Sequence, residues 1–383
     1  MIGAYEKFAE TSMIVSPKLA AEGIPSIVGV VDVKCHLRTF VNGPADFGVE
    51  FSSNKYASTS SQIHGAMKCS DAPSEASPDY LPTIRSGSFA AIGSREFMED
   101  EHICVDDLST HLGHILNFPT SFYGVFDGHG GSAAATYIKK NAIKFFFEDA
   151  ELPQTDTHDA SFLEELANCH RKSYQQADIA LSTEITVSST CGTTALTAIV
   201  IGRHLLIANA GDCRAVLCRR GVAFDMSDDH RPTHAPERRR VEEFGDFIDD
   251  MDYLNGELSV TRALGDWFLK PSALICDPEV RQLALSDEDE FLIIGCDGIW
   301  DVVPSQVAVS LVRRGLRRHD DPSLCAKELV MEAARLESND NLTVIVVCFG
   351  SVKACEGLPV QRPLVSRMSD EALERLKCAF DAE

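Results

Sequence analysis

The sequence predicts an α+β fold in which helices pack on antiparallel sheets. Three apolar runs in the middle of the chain, at 193–201, 205–210 and 213–218, are separated by turns of three and two residues. Turns this short imply an antiparallel meander, because hairpin connections have this length. Segments with helical periodicity lie before and after these runs, without the strict strand–helix alternation of a parallel sheet.

The other elements follow from similar patterns. A strand is predicted at 121–126, and a strand pair at 290–296 and 342–349. The predicted helices are 133–147, 162–181, 236–244, 305–318 and 322–336. Two helix ends carry explicit signals. Asp321 before Pro322 is an N-cap followed by proline at the first helical position, and Gly245 fits a C-terminal stop.

The patterning divides the 383 residues into three parts. Residues 1–80 are predicted to be a variable, partly disordered extension, since serine, alanine, proline and glycine dominate 51–82. Two short strands, 28–33 and 36–41, are expected within this extension. Residues 81–352 carry dense periodicity and form one predicted domain. The tail, 353–383, contains one possible short helix at 370–380.

Composition excludes several classes of function. A net charge of −23 argues against general nucleic-acid binding and against an anionic membrane surface. Any phosphate site therefore needs local positive charge. Thirteen cysteines without a C-x-x-C pair indicate reduced thiols rather than a disulfide framework or a zinc site. No signal peptide or membrane span is recognisable, so we expect a soluble monomer in the cytoplasm, the nucleus or both.

Four acidic clusters at the edges of apolar runs point to chemistry. They contain Glu99–Asp100, Asp127, Asp297 with Asp301, and Asp340. A carboxylate at the end of a buried strand is costly to keep ionised unless positive charge meets it, and hard divalent cations prefer such oxygen ligands. Each cluster also has a plain structural interpretation when taken alone. Asp127 fits a tight strand-to-helix turn, Asp297 fits a helix N-cap, and Glu99–Asp100 fits a solvated turn.

Six segments in order make the joint interpretation specific. They are 95–100 (REFMED), 126–131 (FDGHGG), 209–214 (NAGDCR), 259–266 (SVTRALGD), 297–301 (DGIWD) and 339–341 (NDN). This order and content resemble the metal-dependent serine/threonine protein phosphatases of type 2C over about residues 85–350. The segments 253–256 (YLNG) and 265–267 (GDW) look most like plant members. The resemblance implies a four-layer α-β-β-α sandwich with a metal pair at one edge, and identifies 81–352 as the catalytic domain.

The resemblance also implies a ligand set of two Mn²⁺ or Mg²⁺ ions per subunit. Asp127 would bridge both ions; Asp297 and Asp340 would complete one site, and Glu99 with the Gly128 carbonyl the other. The remaining implied contacts are Asp100, acting through water, and Asp212 and Asp301, which with Asp297 match a weaker third metal position.

The implied reaction is hydrolysis of phosphoserine and phosphothreonine in protein substrates by a water that bridges the two ions. Arg95 would bind the phosphate in bidentate fashion. His129 would act as general acid toward the departing serine or threonine oxygen, although a histidine here could also be structural. The segment 250–256 would belong to a flap beside the site, since its spacing fails as a calcium loop.

Other hypotheses remain open at this point. A catalytically dead relative would serve as a phosphoprotein-binding scaffold, which retention of the whole residue set disfavours. Cys213 and Arg219 have the C-x5-R spacing of cysteine phosphatases, but residue 212 is aspartate and the segment is strand-like rather than a glycine-rich loop. The basic cluster 313–319 is either a solvated helix end or a docking patch for acidic phosphoproteins.

Overall fold

The computed structural model describes residues 80–108, 119–148 and 160–350. The segments predicted at 28–33, 36–41 and 370–380, and nearly all of 51–82, lie outside these ranges. Within them, two five-stranded antiparallel sheets form the centre of the molecule. The first sheet has the order β1 (Arg85–Ala91), β13 (Leu342–Cys348), β12 (Asp289–Gly295), β8 (Arg214–Arg219) and β9 (Val222–Asp225).

The second sheet is built the same way. Its order is β11 (Glu279–Ala284), β7 (His204–Ala210), β6 (Ala195–Ile201), β3 (Thr120–Phe126) and β2 (Glu101–Val105). A small third sheet has three strands, in the order β10 (Leu264–Gly265), β5 (Gly192–Thr193) and β4 (Gly128–His129).

Six α-helices complete the described part of the chain. They are α1 (Ala133–Ile143), α2 (Ala160–Thr183), α3 (Ala235–Phe244), α4 (Asp297–Trp300), α5 (Ser305–His319) and α6 (Pro322–Arg335). The predicted cap of α6 is confirmed, because the Asp321 carboxylate accepts hydrogen bonds from the backbone N–H groups of Ser323 and Leu324. Gly245 ends α3 in the left-handed conformation, with φ of 102°. None of the described helices combines the length and apolarity that a membrane crossing needs.

One predicted helix differs from the structure. The α-helical geometry of α1 ends at Ile143, and 144–148 form a π-helical turn instead of continuing to 147. Three consecutive phenylalanines, 145–147, are all buried here. The wider turn reduces the angle between successive side chains, which favours burial of all three on one side of the turn.

The core explains why the molecule has four layers. Along β3, Phe122 and Phe126 belong to the core shared with α1 and α2, whereas Tyr123 and Val125 belong to the core between the two sheets. This alternation is the two-residue period of a strand. Because the first sheet packs against α5 and α6 on its outer face, the layers are helices, sheet, sheet, helices. The predicted fold class is confirmed.

The predicted meander is only partly right. β6 and β7 pair as expected, but β8 pairs with β12 and β9 in the other sheet. The chain changes sheet at Gly211–Asp212, where Gly211 has φ of 126°. All three strands are apolar on both faces because both sheets are covered on both sides, so the sequence pattern did not distinguish a hairpin from a crossing.

The basic cluster at the end of α5 is partly neutralised. Arg313 binds Glu290 through two hydrogen bonds of 2.6 Å, and Arg318 pairs with Glu328. These arginines therefore join α5 to β12 and α6. The place of Arg318 in the last turn of α5 also suits the helix dipole.

Candidate active site

The candidate site lies where strands of both sheets end. Asp127 follows β3, Asp212 lies at the crossing between β7 and β8, and Asp297 begins α4 after β12. Carboxylate oxygens of these three residues lie within 4.8 Å of one another. Asp127 also belongs to a second such group, with Asp100 and the Cys296 sulfur. Folding therefore gathers acidic residues from distant segments around Asp127.

Two threonines of the neighbouring segment fix the backbone of Asp127. The Asp127 carbonyl accepts from the backbone N–H of Thr194 at 2.8 Å and from the Thr193 hydroxyl at 3.1 Å. The Asp127 N–H donates to the Thr194 hydroxyl oxygen at 3.2 Å. The next residue, Gly128, pairs with Thr193 in the small sheet. These hydrogen bonds fix the backbone from which the Asp127 carboxylate projects.

The electrostatics of the site show a shortage of positive charge. Burial, reinforced by Asp100, Asp297 and Asp212, raises the pKa of Asp127 well above its ordinary value. Burial and the neighbouring Asp212 carboxylate raise the pKa of Asp297 to about 8. One buried oxygen of Asp100 and one of Asp297 have no hydrogen-bond partner among the described residues. Such a donor set fits hard divalent cations.

Arg231 supplies a positive charge that three carboxylates of the site share. Its Nε donates to Asp212 at 2.8 Å, its Nη1 to Asp301 at 2.8 Å and its Nη2 to Asp297 at 3.0 Å. Arg231 is not among the site residues predicted from the sequence. The signal available was its place in the polar run 228–231 (DDHR), just beyond β9. The three carboxylates predicted for the weaker third metal position are therefore bound together by a guanidinium.

Asp100, which was predicted to act on a metal through water, lies close to Asp127. It is 5% exposed, and its Oδ2 accepts a hydrogen bond of 2.7 Å from the Thr343 hydroxyl. Its partner in the sequence motif, Glu99, is half-buried and belongs to neither oxygen group. Cys296, which the sequence analysis did not propose, joins the Asp100 group. Burial and the nearby Asp100 raise the pKa of the Cys296 thiol well above its ordinary value, which disfavours a thiolate ligand.

Arg95 and Asp340 form a pair beside these groups. Arg95 Nη2 donates to Asp340 Oδ2 at 2.7 Å, and its Nε donates to the Asn339 carbonyl at 3.0 Å. The Arg95 side chain remains 52% exposed. Since a guanidinium has five donors, the others remain available for an incoming phosphate. Asp340 lies outside the two oxygen groups but is near enough to contribute to the raised pKa of Asp127 and Asp297.

His129 lies two residues after Asp127 and has an acidic partner. Its Nε2 is 2.7 Å from Oδ2 of Asp266, a carboxylate with 0% side-chain exposure. The His129 ring itself is 27% exposed. Asp266 belongs to the segment 259–266 but had no predicted role, because 137 residues separate it from His129.

Comparison with known proteins identifies the family. The sequence model of the family Protein phosphatase 2C matches residues 84–342. The chain belongs to this family. It is 53% identical to "Probable protein phosphatase 2C 13" of Arabidopsis thaliana, over 97% of this chain and 100% of that protein. It is 61% identical to "Probable protein phosphatase 2C 47" of Oryza sativa subsp. japonica, over 71% of this chain and 72% of that protein.

Solved structures of the protein phosphatase 2C family share the fold. Serine-threonine phosphatase 2C from Toxoplasma gondii superposes with a TM-score of 0.57 at 22% identity, over 70% of this chain and 97% of that chain. A phosphatase from a pathogenic Toxoplasma gondii strain gives 0.58 at 19% identity, over 71% and 94%. The predicted family, its plant-like character, the fold and the enzyme class are confirmed. The protein is a metal-dependent protein phosphatase, and phosphoproteins are its substrates.

Membership in the protein phosphatase 2C family and the geometry together exclude the cysteine-phosphatase alternative. Cys213 is fully buried, and burial with the nearby Asp127 raises the pKa of its thiol well above its ordinary value. Arg219 is at the opposite end of β8, paired with Asp289 at 2.7 Å. A reactive thiolate with an arginine-lined phosphate loop is therefore absent at these residues.

Proposed function

We propose that this enzyme hydrolyses phosphoserine and phosphothreonine in proteins at the Asp127 site, with two divalent cations held around that residue. The observation that carries the proposal is the convergence of the Asp100, Asp127, Asp212 and Asp297 carboxylates, which include two buried oxygens without partners. Mn²⁺ or Mg²⁺ bound there would supply positive charge and a water of lowered pKa. Asp340 and Glu99, on neighbouring segments, would complete the ligand set.

The remaining carboxylates would serve a weaker third position. Asp212 and Asp301 with Asp297 face one guanidinium, that of Arg231. A cation entering this position must displace Arg231 or share the carboxylates with it. This competition supports a low affinity there.

Arg95 would bind the phosphate of the substrate. It is the exposed arginine that adjoins the site through Asp340, and its free N–H groups can donate to two phosphate oxygens in the planar geometry that guanidinium favours. The contacts with Asp340 and the Asn339 carbonyl limit the rotation of the guanidinium. Arg95 would thereby orient the phosphorus toward the attacking water.

His129 would donate a proton to the leaving oxygen. A serine or threonine alkoxide is a poor leaving group, so protonation during P–O cleavage accelerates its departure. An aryl phosphate such as p-nitrophenyl phosphate releases a stable anion and needs little help. His129→Gln should therefore lower kcat far more on a phosphothreonine peptide than on p-nitrophenyl phosphate.

The direct test of the function is phosphate release from a phosphothreonine peptide with Mn²⁺, with Mg²⁺ and with a chelator. We expect metal-dependent release by the wild type and loss of release in Asp127→Ala. Equal release by both proteins, regardless of chelator, would show the assignment of this site to be wrong. Binding of the phosphopeptide without metal and without turnover, measured by calorimetry, would indicate the scaffold alternative instead.

A further inference from the structure

The small three-stranded sheet aligns three residues beside the site. His129 on β4 pairs with Gly192 on β5, and Gly192 pairs with Gly265 on β10. Asp266 follows Gly265 directly, so its carboxylate lies across Gly192 from the His129 ring. The contact of 2.7 Å between His129 Nε2 and Asp266 Oδ2 is therefore set by backbone pairing rather than by a chance meeting of side chains.

Asp266 is held in an unfavourable state to make this contact. Its side chain is completely buried, and its second oxygen, Oδ1, has no hydrogen-bond partner among the described residues. Its backbone is in the left-handed region, with φ of 54°. Strained backbone and under-satisfied buried charge persist where the surrounding structure enforces them, and such positions concentrate at functional sites.

Gly192 leaves room for the pair. A Cβ atom at this position would lie 2.0 Å from Asp266 Oδ2 and 2.4 Å from His129 Nε2. Any side chain here would separate the imidazole from the carboxylate. Glycine at this position of β5 therefore permits the contact between His129 and Asp266.

The segment that carries Asp266 is anchored independently of His129. The Asp266 N–H donates to the Cys191 carbonyl at 3.0 Å. On α2, the buried Asp178 carboxylate accepts from the Gly265 N–H at 2.8 Å and from Lys270 Nζ at 2.6 Å. These bonds hold the β10 segment without the Asp266 carboxylate. Among the described residues, His129 is the hydrogen-bond partner of that carboxylate, and its other oxygen has none.

We propose that Asp266 is a positioning residue for His129, an inference that rests on the proposed role of His129 as general acid. Accepting the Nε2–H bond fixes the ring orientation and directs the proton at Nδ1 toward the substrate. When the P–O bond of the ester breaks, its electron pair goes to the serine or threonine oxygen, which takes the Nδ1 proton. His129 becomes neutral with Nε2–H still bound to Asp266, and the attacking water loses a proton to solvent as it bonds to phosphorus.

The test compares Asp266→Asn with wild type on two substrates in saturating Mn²⁺. The amide keeps the volume and suits a left-handed backbone, but it removes the charged acceptor. We expect kcat on a phosphothreonine peptide to fall about 10–100-fold, the range seen when a positioning partner is lost, and kcat on p-nitrophenyl phosphate to change less than about 3-fold. Combined with His129→Gln, Asp266→Asn should add less than about 2-fold.

A matched control separates positioning from folding. Asp178→Asn removes a buried carboxylate of α2 that anchors the Asp266 segment, and it should affect both substrates equally, through stability alone. Asp266→Gly is a second test variant, because glycine accepts the positive φ, and it should show the same difference between substrates. Equal losses on both substrates in the two Asp266 variants, or full additivity with His129→Gln, would overturn the inference.

The outcome also distinguishes this inference from the proposed function. If His129→Gln slows both substrates equally, His129 is not the acid and the proposed function is wrong at that residue. If His129→Gln discriminates between the substrates and Asp266→Asn does not, only the positioning role fails.

Discussion

Buried carboxylates converge on arginine at two places in this protein, with opposite balances of charge. Around Asp127, the carboxylates outnumber the guanidinium of Arg231, and within the described residues one buried oxygen of Asp100 and one of Asp297 have no hydrogen-bond partner. At the start of α3, one carboxylate, Glu237, accepts hydrogen bonds from Arg240 and Arg262 and from the Thr261 hydroxyl. The first place has too little positive charge, and the second has more than enough.

The pKa directions follow this balance. Burial raises the pKa of Asp297 to about 8, because Arg231 alone does not offset burial and the neighbouring Asp212. Burial would also raise the pKa of Glu237, but hydrogen bonds from Arg262 and Arg240 outweigh it and hold the pKa below its ordinary value. A carboxylate whose charge is fully offset by arginines stabilises the fold. A group of carboxylates whose charge is not offset can instead bind added cations.

The largest expected effect tests the stabilising network around Glu237. Glu237→Gln should lower the free energy of unfolding by about 3 kcal/mol, since it leaves two partly buried guanidinium groups without their shared anion. Urea unfolding measures this effect. Glu243→Gln, an exposed change on the same helix, is the control and should have little effect. A loss below about 1 kcal/mol for Glu237→Gln would mean that the network around Glu237 contributes little to stability.

The next effect concerns the carboxylates around Asp127. Asp127→Asn should lower kcat on a phosphothreonine peptide at least about 10²–10³-fold, as expected when an electrostatic contact to the reaction is removed. The same change should leave the metal-free protein as stable as wild type or more stable, because it relieves repulsion with Asp100 and Asp297. Activity assays and urea unfolding in chelator give the two readouts. A marked loss of metal-free stability would contradict the charge balance described above.

Arg231 offers a smaller and more selective test. Arg231→Gln should destabilise the metal-free protein by about 2 kcal/mol, because Asp212, Asp297 and Asp301 lose their shared cation. Mn²⁺ should restore more stability to this variant than to wild type. Thermal unfolding with and without Mn²⁺ gives the comparison, and Arg238→Gln, which breaks the exposed pair with Asp252, is the control. An identical Mn²⁺ shift in wild type and Arg231→Gln would refute the idea that Arg231 substitutes for a cation.

The smallest effect is a pH dependence of the metal-free protein. Because the folded pKa of Asp297 is raised to about 8, folding favours its protonated form, and that stabilisation disappears as the pH rises through 8. Between about pH 6.5 and 8.5 the free energy of unfolding should fall by roughly 1–2 kcal/mol more in wild type than in Asp297→Asn. Equal slopes for the two proteins in chelator would contradict the assignment.

Glu237 should show the opposite sign. Its folded pKa is lowered, so its stabilisation is present above the unfolded value near 4.5 and is lost as the pH falls below it. Acid unfolding of wild type and Glu237→Gln should therefore converge at low pH. The two carboxylate sites thus have separate pH windows.

Local signals explain how much of the fold was predictable. The Asp321–Pro322 start of α6 and the β12–β13 pair were confirmed, because caps and apolar periods depend on neighbouring residues. The passage of β8 into the other sheet was not predictable from its pattern. Strands buried on both faces lack the polar–apolar alternation that assigns a strand to a face.

The site was predictable as far as its acidic motifs extend. Asp127 and Asp297 stand at strand ends and could be recognised in sequence. Arg231 and Asp266 could not, because their importance arises from contacts between distant parts of the chain, such as Arg231 with Asp297 across 66 residues and Asp266 with His129 across 137. The close approach of Asp100 to Asp127 likewise depends on Thr343, at the far end of the domain.

One side chain, Asn341, restrains the loop that carries Arg95. Its amide accepts from the Glu99 N–H at 2.8 Å and donates to the carbonyls of Ile92 at 2.8 Å and Phe97 at 3.0 Å. The loop 92–99, which carries Arg95, is thereby tied at both ends to the residue preceding β13. Its conformational entropy is lost when the chain folds rather than when a substrate arrives. With Arg95 binding phosphate as proposed, Asn341 would contribute to substrate affinity by keeping the loop ordered before the substrate binds.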